Sequence, residues 1–371
     1  MPLYLTDDQA MLRDTARGFM AEEGAISKQL RHWRDIGCKD GFGHALWKQF
    51  AELGFTGILI GEEDGGLGLG HVEAGIVLEE IGRNLTPSPF LVTAVAVVEA
   101  LKGSAQRERW YPGILSGDTV AAIAVDEGPK HRPEAIAMKA ERAGNGFRLS
   151  GRKQFVVQGA SADLIVVAAQ AEEGLTLFAV EKGARGLDID GVRLADASIG
   201  ARMTFDGVEV DADAVIGEVG QGEGVLSRAL GAARAGAASE MVGVASGAMD
   251  MTVDYLRQRK QFGKLIGEFQ SLQFRAAHLY SELEIARAAA LKAQQLLDEG
   301  SDEAEAMVSV AKAKAGRVST LAVQEGVQMH GGIGMTDEYD IGLYMKRDRV
   351  LNELFGDPAY HADKLARLKG Y

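Results

Sequence analysis

Arg259-Lys260-Gln261-Phe262-Gly263-Lys264-Leu265-Ile266-Gly267-Glu268-Phe269-Gln270 is the stretch whose reading decides the fold. Before it, Met241, Ala245, Met249 and Leu256 recur at helical spacing; after it, Leu272, Ala276, Leu279, Leu283, Ala286 and Ala290 do the same. The spacing predicts a helix ending at Arg259, a stop with Gly263 as its C′ residue, and a second helix from about Glu268. The corner carries a guanidinium, an aromatic ring and a side-chain amide. A plain helix hairpin with a solvated Arg accounts for it. So does a dinucleotide site, where the cation meets a pyrophosphate and the ring offers a flat apolar face. Alone, the stretch leaves both open.

Helical patterning fills the rest of this half: 225–259, 268–299, 302–330 and 341–355, divided by Gly263, Gly300 and Gly331-Gly332-Ile333-Gly334. Four long helices with short connections predict a bundle. Upstream the period changes. Runs at 120–125, 135–141, 147–149, 154–157, 164–168, 175–180, 202–205 and 208–210 read as strands, with Gly146, Gly151, Gly174, Gly191 and Gly207 in or near turns. This predicts a compact antiparallel β domain. Further upstream, Thr6 and Gln9 fit a capping box, and helices are expected at 44–53, 72–81, 90–102 and 105–115, with Pro87 and Pro89 as breakers. The expectation is an α+β chain: an N-terminal α-helical domain at 1–118, a middle antiparallel β domain at 119–219 and a C-terminal four-helix bundle at 220–371. Glu62-Glu63-Asp64 has a metal-like look, but a solvated loop is the expected reading.

The 371 residues are 46% hydrophobic and 25% charged, ordinary for a soluble globular protein with ample core. A net charge of −13 argues against a nucleic-acid surface. Cys38 is the only cysteine, which excludes an intrachain disulfide framework and a thiolate metal cluster, and no histidine pair has metal-ligand spacing. The start lacks a secretory pattern, and the apolar run at 90–101 is too short to span a bilayer. The expected location is cytoplasmic. No glycine-rich phosphate loop follows a strand, so a Rossmann site is not supported.

Three motifs, in order, resemble the acyl-CoA dehydrogenase family across essentially the whole chain. They are Leu53-Gly54-Phe55-Thr56-Gly57 followed by 62–68, the Arg-x-x-Phe-Gly…Gln pattern of Arg259 to Gln270, and Gln328-Met329-His330-Gly331-Gly332-Ile333-Gly334. The resemblance implies an FAD cofactor lying between subunits. Arg259, Gln261, Phe262 and Gln270 would reach an FAD held mainly by a neighbouring chain, and Gln328, Gly331, Gly332 and Gly334 would lie near its pyrophosphate and adenosine. Glycines let a backbone N–H approach without a Cβ in the way. His330 is expected to be structural or near the adenosine. The implied partners are an acyl-CoA substrate, a homo- or hetero-oligomer and an electron-transfer flavoprotein, with no nucleic acid and no membrane.

The departures from the family are specific. Its chemistry needs a carboxylate to take the α-proton of the thioester. The position of that Glu falls on Phe355, or on Gly356 with a one-residue shift, and the alternative position of some relatives falls on Ala233, beside Arg234. No carboxylate stands at any of them. Glu240 and Asp357 remain as candidates in cis, set against their ordinary roles as helix caps or solvated acids. The usual flavin segment of the β domain is unrecognisable in Asp126-Glu127-Gly128-Pro129-Lys130-His131. In Lys153-Gln154-Phe155-Val156-Val157-Gln158, Phe155 and Val157 match the family's flavin-facing motif, but Val157 lacks the hydroxyl donor. With Ala237-Ala238-Ser239-Glu240-Met241-Val242-Gly243 and Phe355 to His361, the chain resembles the base-less small subunits of bacterial heteromeric acyl-CoA dehydrogenases, such as the pimeloyl-CoA and steroid side-chain enzymes. This implies α,β-dehydrogenation of an acyl-CoA with FAD shared with a Glu-bearing homologue. An active homotetramer with an unusual base and a non-catalytic scaffold are the alternatives.

Overall fold

The structure, a computed structural model, describes residues 3–371. Helix α1 (Asp7–Glu22) starts at Thr6, whose hydroxyl accepts from Gln9 N at 3.3 Å while Gln9 Oε1 accepts from Thr6 N at 3.0 Å, the expected capping box. Then come α2 (Leu30–Asp35), α3 (His44–Glu52) and α4 (His71–Asn84), a π-helical stretch Leu91–Val97 running into α5 (Val98–Leu101), and α6 (Gln106–Leu115). The strands are β1 (Ala121–Ala124), β2 (Lys139–Ala143), β3 (Gly146–Val157), β4 (Leu164–Ala171), β5 (Gly174–Glu181), β6 (Leu187–Arg193), β7 (Ile199–Val210) and β8 (Val215–Ile216). Helix α7 (Gly222–Gln258) leads to a hairpin of β9 (Lys260–Gln261) and β10 (Lys264–Leu265). Helices α8 (Gln270–Asp298), α9 (Ala304–His330), α10 (Ile341–Glu353) and α11 (Pro358–Leu368) follow. The expected order of a helical domain, a β-sheet domain and a helical domain holds.

Several details differ from expectation. The sheet runs β6-β7-β3-β2-β4-β5-β8, and β1 pairs β4 in parallel, Ala121 opposite Leu164. The β domain is therefore mixed: β2 also meets β4 in parallel, Lys139 opposite Gln170, and the other ladders are antiparallel. Gly151 and Gly207 lie inside β3 and β7, not in turns, and the register of β3 on β7 shifts near Gly151 and again between Lys153 and Val156. Strand β6 alternates apolar Leu187 and Ile189 with Asp188 and Asp190, a strand pattern that the expected set omits, and it has no buried residue. The apolar run expected as one α-helix at 90–102 begins as a fully buried π-helix.

The chain forms two compact units. One combines the segment ending at Leu30 with Gly75–Thr86 and Arg234–Tyr371; the other combines Arg31–Ala74 with Pro87–Ala233. Within the second, Leu164 to Val167 of β4 are wholly buried, and Phe147 meets Phe178 edge-on at 5.1 Å. Within the first, α4 and α7 touch backbone to backbone. A Cβ on Gly82 would stand 2.1 Å from Glu240 O, one on Gly243 2.0 Å from Glu79 O, and one on Gly247 2.4 Å from Arg83 O. Only hydrogen fits there. Among the described residues no helix is long and apolar enough to cross a membrane, and no acidic or histidine cluster could hold a metal.

Because the obstructing atoms at this crossing are backbone, they cannot turn aside. Gly243→Ala should destabilise the protein by about 1–3 kcal/mol in urea denaturation, whereas Gly128→Ala, in open space, should change it by less than about 0.5 kcal/mol.

Candidate functional site

The corner after α7 is a two-residue β-hairpin. Lys264 pairs with Gln261 and Leu265 with Lys260, while Phe262 and Gly263 both have positive φ, 53° and 80°. Two left-handed residues in succession make a type I′ turn. The expected role of Gly263 as a helix C′ residue is thereby corrected: α7 has already ended at Gln258, and Gly263 is the second turn residue. Likewise α8 starts at Gln270, after a single 3₁₀ turn at Ile266–Glu268. The hairpin is fastened to α7 by Ile266 N donating to Arg259 O at 2.9 Å, and to its own exit by Leu265 N donating to Glu268 Oε1 at 3.1 Å.

Phe262 at the tip is 92% exposed. A bulky residue with positive φ is uncommon, and here the strain holds an aromatic ring in water. Phe269 lies beside it, edge-on at 6.4 Å, and Lys264 Nζ sits 4.2 Å above the Phe269 ring. Arg259, Gln261 and Gln270 are exposed beside it.

The glycine turn after α9 belongs to the same end of the unit. Met329 packs with Leu256 and Ile266 in a small cluster flanked by Tyr255, Phe269 and Leu272. This places Gln328, exposed on α9, and Gly331 to Gly334 with the hairpin. Gly331 has φ 68°, and a Cβ at Gly331 or Gly332 would meet nothing within 4 Å, whereas one at Gly334 would stand 2.9 Å from Val327 O. The first two leave room for a ligand against the backbone; the third is needed for packing. His330 stacks on Tyr255 at 4.4 Å, and its Nδ1 donates to Gly326 O at 2.7 Å. Burial pushes its pKa down, against that hydrogen bond, so it is a neutral member of an aromatic cluster that includes Tyr339. Structural is the reading these contacts support.

Each position where the sequence suggests a base has a structural role. Phe355 is buried with φ 61°, Gly356 has φ 107°, and Ala233 is buried. Glu240, also buried, accepts from Arg347 Nε at 2.8 Å and Nη2 at 2.6 Å. Asp357 is the N-cap of α11, accepting from Tyr360 N at 2.7 Å. In the β domain, Asp126 accepts from His131 Nδ1 at 2.9 Å and from Arg132 N at 3.2 Å. Glu127 accepts from Lys153 Nζ at 2.8 Å and from Ala137 N and Met138 N. The segment standing for the flavin loop thus satisfies its own carboxylates internally. Val157 is 8% exposed and its side chain has no donor, and Phe155, partly buried, has φ 52° at the β3 irregularity. The exposed corner and open glycines fit a pyrophosphate and an aromatic ring; the Val157 side chain offers no hydrogen bond to a flavin.

Residues 6–118 match the acyl-CoA dehydrogenase N-terminal domain and residues 220–368 its C-terminal domain. The chain belongs to the acyl-CoA dehydrogenase family. It is 32% identical to the mitochondrial isovaleryl-CoA dehydrogenase of Solanum tuberosum, over 83% of this chain and 78% of that protein. It is 30% identical to the cyclohex-1-ene-1-carbonyl-CoA dehydrogenase of Geobacter metallireducens, over 95% of each. Among solved structures it resembles the Tcur3481-Tcur3483 steroid ACAD, with a TM-score of 0.90 and 28% identity over 98% of both chains. The chemistry of acyl-CoA dehydrogenases is FAD-dependent dehydrogenation of acyl-CoAs, and the family is oxidoreductase and oligomeric. The site residues expected from the sequence do not include Lys312, whose wholly buried side chain lies among the alanines of α9. A lone Lys in an apolar stripe was the available signal.

Glu240 separates a structural from a catalytic acid. Glu240→Ala removes the counter-charge from Arg347 and should destabilise by about 3 kcal/mol in chemical denaturation. The double variant with Arg347→Met should regain most of that loss; a base would instead lose turnover with stability unchanged.

Proposed function

We propose that this chain is the base-less partner in a heteromeric acyl-CoA dehydrogenase and completes an FAD site held mainly by a Glu-bearing homologue. The observation that carries this reading is the absence of a carboxylate at Phe355, Gly356 and Ala233, with Glu240 and Asp357 both engaged in structural bonds. The likeness to the Tcur3481-Tcur3483 steroid ACAD, named for two components, supports it. The matches at 6–118 and 220–368 support dividing the chain into domains at 1–118, 119–219 and 220–371. An acyl-CoA is the substrate class, an electron-transfer flavoprotein the electron acceptor, and the cytoplasm the compartment.

In acyl-CoA dehydrogenation a carboxylate takes the α-proton and bound FAD supplies the hydride acceptor. On this reading the chain's own residues bind and orient. Arg259 neutralises a pyrophosphate, and Phe262 covers an apolar ring face. Gln261, Gln270 and Gln328 offer amide donors and acceptors, and Gly331 and Gly332 let backbone N–H groups approach, with Gly334 packing the turn behind them. Exposure of Phe262 on a strained turn fits a ring meant to be covered by another chain. Phe155 and Val157 mark the reciprocal half-site, without the donor that would hold a flavin there.

Purified alone, the chain should carry almost no flavin absorbance and no acyl-CoA dehydrogenation. Co-expressed with a Glu-bearing homologue, it should co-purify with about one FAD per pair. Arg259→Ala should weaken FAD retention in that complex by roughly 10- to 100-fold, the worth of one charge-assisted hydrogen bond. Phe262→Gly should lower retention while leaving the melting temperature unchanged or raised, because glycine accepts the left-handed turn without strain. A flavin-saturated, active homo-oligomer would sink the proposal.

A further inference from the structure

The turn at 354–357, between α10 and α11, is held by more buried charge than a short connection needs. Arg234 Nε donates to Phe355 O at 3.1 Å and Arg234 Nη2 to the Tyr360 hydroxyl at 3.2 Å, with the guanidinium 5.5 Å from the Tyr360 ring centre. His361 Nε2 donates to the same Phe355 O at 3.1 Å. Lys312, wholly buried, donates from Nζ to Leu351 O at 2.8 Å and to Gly356 O at 3.2 Å. Beneath Gly356 there is no spare room: a Cβ there would stand 2.4 Å from Tyr360 Cδ1 and 3.0 Å from His361 Nε2.

Lys312 is the unusual member. An ammonium has three N–H donors, whereas an uncharged amine has two and a lone pair. Among the described residues the nitrogen has two acceptors, both backbone carbonyls, and no carboxylate. The acids on the neighbouring elements have other donors. Asp348 accepts from Thr320 Oγ1 at 3.0 Å and Asn352 Nδ2 at 2.8 Å. Glu353 accepts from Arg349 at 3.0 Å, Asp357 from Tyr360 N, and, on α8, Glu282 from Lys314. Arg234, permanently charged, repels a second cation. Burial first and Arg234 second push the Lys312 ammonium down to about 7, against the pull of Asp348, Asp357 and Glu353.

We propose that Lys312 stands in the folded protein as an uncharged amine that latches the 354–357 turn, and that its protonation releases the turn. Protonation adds a third N–H with no acceptor and a positive charge beside Arg234; opening the turn gives both to water. The direction follows from linkage. The open form holds its proton up to the ordinary lysine range and the closed form only to about neutrality, so opening grows as pH falls through that window and levels off below it.

Hydrogen exchange of the peptide spanning 351–358 in the full chain tests this, corrected for the intrinsic pH dependence of exchange. Opening should rise roughly fifty-fold from pH 9 to pH 7 and level off below about pH 6. Lys312→Met should abolish that dependence, and Lys312→Arg should leave the turn exchanging fast at every pH. Lysine-selective NMR titration of the unmodified chain gives a second measurement that needs no variant to fold. A pH-independent turn, or a Lys312 amine titrating in the ordinary lysine range, overturns the proposal.

Discussion

Backbone contact between α4 and α7 at Gly82, Gly243 and Gly247 is the constraint on which the bundle-bearing unit depends. Helices usually stand 8–10 Å apart because side chains separate them. Here hydrogens do, and the close approach fixes α7 along its length. Glu240, one turn before Gly243, is thereby set where Arg347 of α10 reaches it, and Arg234 is set where its guanidinium meets the carbonyl of Phe355. At the other end of the same helix, Tyr255 and Leu256 enter the cluster with Ile266 and Met329 that holds the hairpin against the glycine turn. One crossing thus places the exposed corner and the turn after α10.

How much of this could be read from residues depended on the kind of signal. Amphipathic stripes gave α1, α3, α4 and α6 to α10 nearly to their ends, because burial of one helix face leaves a 3.6-residue period. Glycine was ambiguous. Gly263 reads equally as a helix stop or as a turn residue, and only the pairing of Lys264 with Gln261 decides it. Gly151 and Gly207 look like turns but lie within bent strands, where a bulge uses the same freedom. Strand β6 and helix α11 are absent from the expected elements: β6 is an edge with no buried residue, interrupted by Gly191, and Asp357 before α11 reads as a candidate base as readily as a cap.

For the candidate site, residue identity was legible and residue commitment was not. The absence of a carboxylate at Phe355, Gly356 and Ala233 is a fact of sequence. That Glu240 and Asp357 are already engaged is a fact of geometry, since an acid near a helix end looks the same whether it caps, pairs or waits for a proton. Likewise Asp126 and Glu127 could have been read as polar ligands, but their oxygens are taken by His131, Arg132, Lys153 and two backbone amides. A buried acid with its lone pairs filled is an anchor, because recruiting it to chemistry would leave its donors unpaired in low dielectric.

Loss of function leaves polar groups idle, and idle buried groups are costly, so a lost site tends either to be filled or to be tied off. Around 354–357 the polar groups are tied off: Phe355 is buried, Gly356 has no room for a Cβ, and the carbonyls are held by Arg234, His361 and Lys312. The hairpin shows the opposite. Phe262 stays in water on a left-handed residue, and Gly331 and Gly332 stay open, none of which packing within the unit requires. Strain and exposure that stabilise nothing inside a chain are kept for what lies outside it. The contrast between a closed interior turn and an open exterior corner is the physical basis for reading this subunit as one that completes a site instead of containing one.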